Sequence, residues 1–597
     1  MRHLSEPAAE TSNGLTPSQT AGIRVGSIDD YVRRINSWKT FLNETVPKRI
    51  ADASPMAKGK PEEKSYDVIV VGFGAAGASA ALDAADAGKS VLLIDRFDGG
   101  GSSRRSGGLY YAGGGTRAQK DAGVEDDPEN MFRYLKKENG GAVDDATIRR
   151  FCNESPATFD WLENRVGVPF RNKEGKTVYY EKKTSYPPSY VTLNFSGNEM
   201  AAPFNTIAKP AARGNRVFGE YLTGNIMFVA FEKAVEKHPK ITVQLHTRVK
   251  DVIMSPDGSR CLGVITERLS DDFHATHVML HEIGSGAPML DSSRQTDTKC
   301  KQLEHELFEK FSTPERITAK NGVIMSTGGF FFNQSMVKQY APKYDGYMPL
   351  GNLGDDGSGI EICRRAGCAL GRMDRCSAWK FTNPPFSFLR GVLVNANGER
   401  VGNEDTYGAT FADFLVQQHG GKGWLVIDQE AWEEANEDCM NPDSGLQEDQ
   451  RMQGLANLHK NRVVGESPNE LAQKINAPHL VKTIERYNSD SEKGFDAQFG
   501  KLPSYLKPLT GTLYAVRLDM VGNKYWPTPC MTLGGVRVEG ATGLALRESD
   551  GKPIRGLYAA GRAAVGIASN YYVSGLSLGD AVFSGRRAGK HAAASSS

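Results

Sequence analysis

The sequence predicts an α/β fold organised around a parallel sheet, and three observations carry that expectation. Residues 66–95 read as strand, glycine-rich turn, helix and strand. At 321–329 (NGVIMSTGG) another apolar, β-branched run ends in a glycine pair. From Tyr514 strand-like alternation returns, and the chain closes with GLYAAGR and a helix. Strands alternating with helical patterns are the mark of βαβ units and of sheets buried on both faces.

The elements follow in order. Residues 1–24 are small and polar and are expected to be mobile. At 28–50 the apolar positions Tyr31, Ile35, Trp38, Leu42 and Val46 recur at three- and four-residue steps, which predicts a helix packed on the main body. Residues 51–64 (ADASPMAKGKPEEK) have the composition of a linker. Tyr66–Val71 (YDVIVV) suits a buried parallel strand, AAGASAALDAADAG a helix, and Ser90–Ile94 a second strand ending at Asp95. Residues 127–240 read as helices and irregular segments, and 241–266 alternate like strands. Residues 333–515 have another texture, with many aromatics, Asn-Gly turns and scattered helices. The Ala-Ser tail, 592–597, is expected to be disordered.

Bulk properties set limits. At 597 residues the chain exceeds what one core holds, so two or more domains are expected. The net charge of +1 argues against a general affinity for nucleic acid. Eight cysteines without a Cys-x-x-Cys pair read as free thiols in a reducing compartment, with no metal site. No apolar run of 18 or more residues is present and the N-terminus lacks a signal pattern, so the expectation is a cytoplasmic enzyme with room for peripheral membrane association.

Gly72-Phe73-Gly74-Ala75-Ala76-Gly77 is a G-x-G-x-x-G that follows a strand and opens a helix, with Asp95 at the end of the next strand. Gly72 permits the tight turn, Gly74 leaves the diphosphate unobstructed, and Gly77 lets the helix approach the strand. The helix N-terminus, at Ala75 and Ala76, favours phosphate. Asp95 suits the ribose hydroxyls.

Several segments then carry a resemblance. The run GGGSSRRSGGLYYAGGG (99–115) resembles the diphosphate-wrapping loop of the succinate dehydrogenase/fumarate reductase flavoprotein superfamily. Thr327-Gly328-Gly329, Gly354-Asp355-Asp356-Gly357 and Gly556-Leu557-Tyr558-Ala559-Ala560-Gly561-Arg562 resemble its later motifs, in family order across 65–597. The resemblance implies FAD, and a Rossmann-like FAD-binding domain of the GR2 type split between 65–332 and 516–597. An α+β catalytic domain would be inserted at 333–515, and 1–64 would be an N-terminal extension with one amphipathic helix. Implied cofactor contacts are Gly72, Gly74, Ala75, Ala76, Gly77, Asp95, Arg96, Ser102, Ser103, Ser106, Gly107, Gly108, Gly328, Gly561, Arg562, Ser577 and Leu578. Arg562 departs from the family, which usually has Glu there. Covalent members use a histidine in the loop after the second strand; 96–118 has none, so the FAD is expected to be non-covalent.

Two branches of the superfamily compete. Fumarate-reductase-like members place an arginine shortly after R-F-V-N-E. Here Glu399-Arg400-Val401-Gly402-Asn403-Glu404-Asp405-Thr406-Tyr407 has a tyrosine, which resembles the 3-ketosteroid dehydrogenases. Tyr571-Tyr572-Val573-Ser574-Gly575-Leu576-Ser577-Leu578 is similar to the Tyr-x-Ser-Gly-x-Ser-Leu of Δ4-(5α)-dehydrogenases and lacks the Tyr-Pro-Gly-Pro-Gly of Δ1 enzymes. The implied activity is α,β-dehydrogenation of ring A of a 3-oxo-steroid, with Δ4-(5α) favoured over Δ1. Tyr571 or Tyr572 and the Gly575 N–H would hold the carbonyl oxygen. Tyr407 would take the α-proton, helped by a hydroxyl such as Ser574, and the β-hydride would pass to flavin N5. Trp379, Phe381, Phe386 and Phe388 would line a site for a hydrophobic steroid-like ketone. The alternatives are a reductase of an unsaturated carboxylic acid, and a flavin-binding protein recruited for interaction through residues 1–64. With no second complete G-x-G-x-x-G, a quinone or another acceptor is expected to reoxidise the flavin.

Overall fold

The computed structural model describes residues 28–595 other than 58, 182–187, 189, 221 and 291–292. The expectation for residues 1–24 lies outside these, as do the side chain of Tyr31 and the last two residues of the tail.

Strand β1 (Glu62–Val71), helix α1 (Ala75–Asp86) and strand β2 (Val91–Ile94) form the βαβ unit. They are followed by β3 (Ile241–Gln244), the hairpin β4 (Thr247–Met254) and β5 (Cys261–Leu269), and the long strand β6 (Ser312–Met325). Much later come helix α2 (Gly408–His419), strands β7 (Leu544–Leu546) and β8 (Pro553–Ala559), and helix α3 (Leu576–Ala594). One eight-stranded sheet has the order β7-β8-β6-β1-β2-β3, with β5 on the first half of β6 and β4 paired to β5. β6 is parallel to β1 and β8, and β2 is parallel to β1 and β3. A strand from near the C-terminus is therefore a neighbour of the central strands.

Helix α1 explains why this works. It is built of Ala, Gly and Ser, and all but its last residue are buried. Gly585 and Gly589 of α3 face it so closely that a Cβ there would stand 2.2 Å from Ala76 O and 2.4 Å from Ala80 O. Small residues on both helices permit this backbone approach, which large side chains would forbid.

Two expectations change and a third holds. β1 begins at Glu62 rather than Tyr66, because residues 62–66 pair with Glu315–Ala319 of β6 and Lys64 Nζ meets Glu315 Oε1 at 2.7 Å. The tail is helical through Ala594, since it packs as part of α3 and Asn321 Nδ2 donates to the carbonyls of Ala592 (3.0 Å) and Ser595 (2.6 Å). Helices Ile28–Thr40 and Val46–Asp52, joined by a π-helical turn, bury Leu42, Val46 and Ile50 against Phe273, Leu303 and Phe308, as their spacing predicted.

A second, antiparallel sheet joins Val392–Asn395, Gly423–Asp428, Leu513–Arg517 and Arg462–Gly465 in that order. A small three-stranded sheet, Met348–Pro349, Pro529–Thr532 and Cys376–Ala378, brings the 376–381 segment beside the C-terminal part of the chain. That juxtaposition positions the site. Among the described residues no helix is long and apolar enough to cross a membrane.

Candidate active site

The glycine turn leaves β1 at Gly72, whose φ of +103° favours glycine. A Cβ on Gly72 would lie 2.5 Å from Ser326 O, and one on Gly77 only 1.8 Å from Gly72 O. At Gly74 the nearest atom to a Cβ, Ser103 Oγ, is 3.4 Å away. The turn is therefore closed at Gly72 and Gly77 and open at Gly74, facing a cavity. The first N–H groups of α1 have no intrahelical acceptors; that of Ala75 donates to Ser103 Oγ at 3.0 Å. Asp95 Oδ2 accepts from the Phe73 N–H of this turn (2.7 Å), and its Oδ1 accepts from the Phe97 N–H just beyond β2 (2.8 Å).

One cavity of about 430 Å³ runs from this turn to the aromatic residues of the C-terminal loop. Its lining includes Gly72, Gly74, Ala75, Ala76, Asp95, Arg96, Ser102, Ser103, Ser106, Gly107, Gly328, Gly561, Arg562, Ser577 and Leu578 at the cofactor end, and Tyr572, Ser574 and Gly575 at the other. Gly77 and Gly108 lie behind this surface: Gly108, at φ +70°, packs where a Cβ would meet Thr223 Oγ1 at 2.1 Å. Arg96 is engaged by Asp356 at 2.8 Å; burial disfavours its charge, but Asp356 and Glu304 outweigh that and hold the guanidinium charged. Arg562, the departure from the family pattern, donates to Asp355, which also accepts from the Ser102 hydroxyl and from the Gly329 N–H at 3.0 Å.

At the far end of the cavity the rings converge. Tyr572 stacks on Trp379 with centroids 5.6 Å apart and planes 11° apart. Tyr407, at the N-terminus of α2, lies 6.5 Å from the Tyr572 ring and 5.2 Å from Phe381. Tyr407 is buried and does not line the cavity itself. Ser574 does, and its N–H donates to Ser196 O at 3.0 Å. Gly575, at φ +87°, caps α3 and packs where a Cβ would meet the Tyr111 N at 2.8 Å. Burial pushes the Tyr572 hydroxyl up to about 12, against the opposing Gly575 N–H and Arg562 charge. Tyr572 is therefore a neutral hydrogen-bond donor across the ordinary pH range. Tyr571 turns the other way, towards Phe414 and the Arg375 guanidinium. Of the anticipated aromatic lining, Trp379 faces the cavity and Phe381 backs Tyr407, while Phe388 belongs to a separate core with Leu393 and Leu425.

Asp355 was missed as a site residue, although the Gly354-Asp355-Asp356-Gly357 motif and the unusual Arg562 are the signal that pairs them. His281 also lines the cavity, stacked on Phe97 at 3.9 Å. Its helix, His274–Leu290, mixes His and Gly with apolar residues and hides its period. Among the described residues no group of His, Cys, Asp or Glu could hold a metal ion.

A diphosphate suits the open turn and helix N-terminus, and an elongated cavity ending in rings suits a redox-active ring system. The fold and site thus define a dinucleotide-dependent oxidoreductase. Residues 67–578 match the family described as FAD binding domain, and the chain belongs to that family. Its cofactor is FAD. The chain is 30% identical to the 3-oxo-5-alpha-steroid 4-dehydrogenase of Comamonas testosteroni, over 86% of this chain and 97% of that protein. It is 25% identical to the NADH:fumarate oxidoreductase of Klebsiella pneumoniae, over 93% of this chain and 52% of that protein. Among solved structures it resembles the 3-ketosteroid-delta4-(5alpha)-dehydrogenase of Rhodococcus jostii RHA1 in complex with 4-androstene-3,17-dione, at 29% identity and a TM-score of 0.73, over 91% of this chain and all of that one.

Proposed function

We propose that the protein desaturates ring A of a 3-oxo-steroid, with the Δ4-(5α) bond favoured over Δ1 and Tyr407, Tyr572, Ser574 and Gly575 as the reacting groups. One observation carries this reading: Tyr407 and Tyr572, from distant parts of the chain, lie with their rings 6.5 Å apart at the aromatic end of the FAD cavity, Tyr572 lining it and Tyr407 buried beside Tyr572. Tyr572 and the Gly575 N–H hold the ring-A carbonyl oxygen. Two donors aimed at that oxygen stabilise the charge that develops there and acidify the adjacent C–H. Tyr407 takes that proton, with Ser574 as the neighbouring hydroxyl. Bound FAD, held without a covalent bond, supplies the two-electron acceptor. Trp379, Met531, Pro529 and Leu350 line the cavity and exclude water from a flat apolar substrate. In this reading 333–515 is an inserted unit that contributes one wall through Trp379, with Tyr407 in the ring cluster behind it, and 516–597 contributes the other through Met531 and Tyr572. A quinone or other acceptor reoxidises the flavin.

A second reading, reduction of an unsaturated acid, is favoured by one residue: Arg216 lines the same cavity and is buried. The two separate in one experiment. Anaerobic holoenzyme is mixed with 3-oxo-steroids that are saturated or unsaturated at each ring-A position, and reduced holoenzyme with fumarate-type acids. Flavin bleaching by a 5α-saturated 3-oxo-steroid, with a 4-ene product, is expected; reoxidation by the acids without steroid bleaching would overturn the proposal.

A further inference from the structure

Behind the two tyrosines lies a buried polar clip that joins their segments to each other. The Glu138 carbonyl accepts from the Tyr571 N–H at 3.2 Å and from Asn570 Nδ2 at 3.1 Å, which fixes the start of the Tyr572 loop. The carboxylate of the same residue accepts, at Oε1, from Tyr134 OH (2.7 Å) and from Asn198 Nδ2 (2.8 Å). Asn198 then reaches the other tyrosine: its Oδ1 accepts the Tyr407 N–H at 2.7 Å, and its Nδ2 also donates to Thr410 Oγ1 at 2.8 Å on the first turn of α2. The backbone on either side of Asn198 is held too. Ser196 O accepts the Ser574 N–H, and the Asn198 N–H donates to Tyr134 OH at 2.9 Å. Glu138 and Asn198 are fully buried, and Tyr134 is 1% exposed.

We propose that Glu138 and Asn198 are positioning residues for the ring-A chemistry: together they set the separation of Tyr407 and Tyr572, and they do so by the direction of one hydrogen bond. This rests on the reading of those tyrosines given above. An amide has one acceptor and one donor end. The Asn198 acceptor is taken by the Tyr407 N–H, so its donor end must meet acceptors, and these are the Glu138 carboxylate and Thr410 Oγ1, of which only the hydroxyl can also donate. Neither residue lines the cavity. A buried network of this kind specifies one geometry when every direction agrees and disrupts it when one is reversed. Displacements near 1 Å at a reacting group cost up to about a hundredfold in rate. The titratable groups around the clip are Tyr134, Tyr111, Glu199, Tyr407, Tyr571 with Arg375 and Asp413 beside it, and Arg213 with its partner Asp126; Arg213 Nη2 meets Asp126 Oδ1 at 2.8 Å.

The test is a donor–acceptor exchange in full-length holoenzyme, turning over a 3-oxo-5α-steroid with a dye acceptor. Asn198→Asp sets two carboxylates against each other. It is expected to lower kcat by at least about tenfold at pH 8, with little change in KM, and to recover as the pH falls and the pair takes up one proton. Glu138→Gln on its own keeps an acceptor at Oε1 and is expected to stay within a few-fold of wild type. In the double exchange the new amide at 138 donates to the new carboxylate at 198, and kcat is expected to return to within a few-fold at pH 8 without the added pH dependence. Glu138→Asp, which keeps the charge but withdraws it by one methylene, is a second probe and is expected to lower kcat while flavin content is retained. Wild-type kcat in Asn198→Asp at pH 8, no recovery in a double exchange that keeps its flavin, or wild-type kcat in Glu138→Asp would overturn this proposal alone. Wild-type protein that turns over no 3-oxo-steroid overturns the proposed function and this proposal with it.

Discussion

Arg562 Nη2 lies 2.9 Å from both carboxylate oxygens of Asp355, and that carboxylate is almost wholly buried. Asp355 also accepts the Asn352 N–H at 3.1 Å and the Gly329 N–H at 3.0 Å. One acid therefore ties the Ser102 loop, the end of β6 and the C-terminal strand around the cofactor end of the cavity. Removing one partner of a buried ion pair strands the other charge, at a cost of about 3 kcal/mol or more. Arg562→Ala is expected to lower the unfolding free energy by about that amount and to weaken FAD binding. Arg562→Ala combined with Asp355→Asn should recover part of the stability, because no bare charge remains although the new amide NH2 then meets a backbone N–H. Urea unfolding of the three proteins measures it; a stability loss in the double variant equal to that of the single one would refute the account.

The Tyr572 hydroxyl, pushed up to about 12 by burial, stays protonated at ordinary pH, as the donor role proposed for it requires. Tyr572→Phe keeps the ring on Trp379 and removes only that donor. The expected result is a loss of about 10²-fold in kcat, the scale of a missing oxyanion donor, with the yellow flavin retained. Because Tyr572 stays protonated, any alkaline limb in the wild-type rate profile below pH 10 belongs to another group and should persist in the residual activity of Tyr572→Phe. Disappearance of that limb in Tyr572→Phe would contradict the assignment.

The glycines of the turn should separate binding from folding. A methyl on Gly77 collides with Gly72 O, so Gly77→Ala is expected to destabilise the fold itself. A methyl on Gly74 meets Ser103 Oγ at ordinary contact distance and projects into the cavity. Gly74→Ala is expected to fold with an apo-protein melting temperature within a few degrees of wild type and to be purified with much less flavin. Absorbance at purification together with thermal melts distinguishes the two, and equal flavin loss with equal destabilisation would count against the distinction.

What the sequence conveys follows from how local each constraint is. The turn at 72–77 and its strands were legible because a short stretch contains the whole reason for its geometry. Tyr407 and Tyr572 were legible only through resemblance, since their segments meet through the three-stranded sheet and through hydrogen bonds to Glu138 and Asn198, far away in sequence. Which of Tyr571 and Tyr572 faces the cavity was not legible: both side chains are aromatic, and the partners that receive them, Phe414 and Arg375 for Tyr571 and Trp379 for Tyr572, come from other parts of the chain. The early start of β1 and the ordered tail were hidden for the same reason. Polar residues at 62–64 and 592–595 take their structure from β6 and Asn321, not from their own composition.

Near the cofactor end, His246 carries the clearest acid sensitivity. Its Nδ1 stands 3.0 Å from His277 Nδ1, and its ring stacks on His274 at 4.0 Å. A single proton suffices for the hydrogen bond between the two Nδ1 atoms, so the buried pair is suited to neutral rings. Burial, then the neighbouring His277 and His274, pulls His246 down to about 3, with Asp98 opposing; burial likewise lowers His277, opposed by Glu304. The folded value lies below the unfolded value of about 6.5, so the unfolded chain takes up the proton first as the pH falls. Stability is then complete above about pH 6.5 and is lost progressively as the pH drops from there towards 3, at about 1.4 kcal/mol per unit for one proton. Between pH 7.5 and 5.0 His246 alone accounts for about 2 kcal/mol. His246→Asn suits the left-handed backbone at φ +51°. It is expected to shrink the difference in urea unfolding free energy between those two pH values by about that amount; a difference as large as in the wild type would mean that the acid sensitivity resides elsewhere.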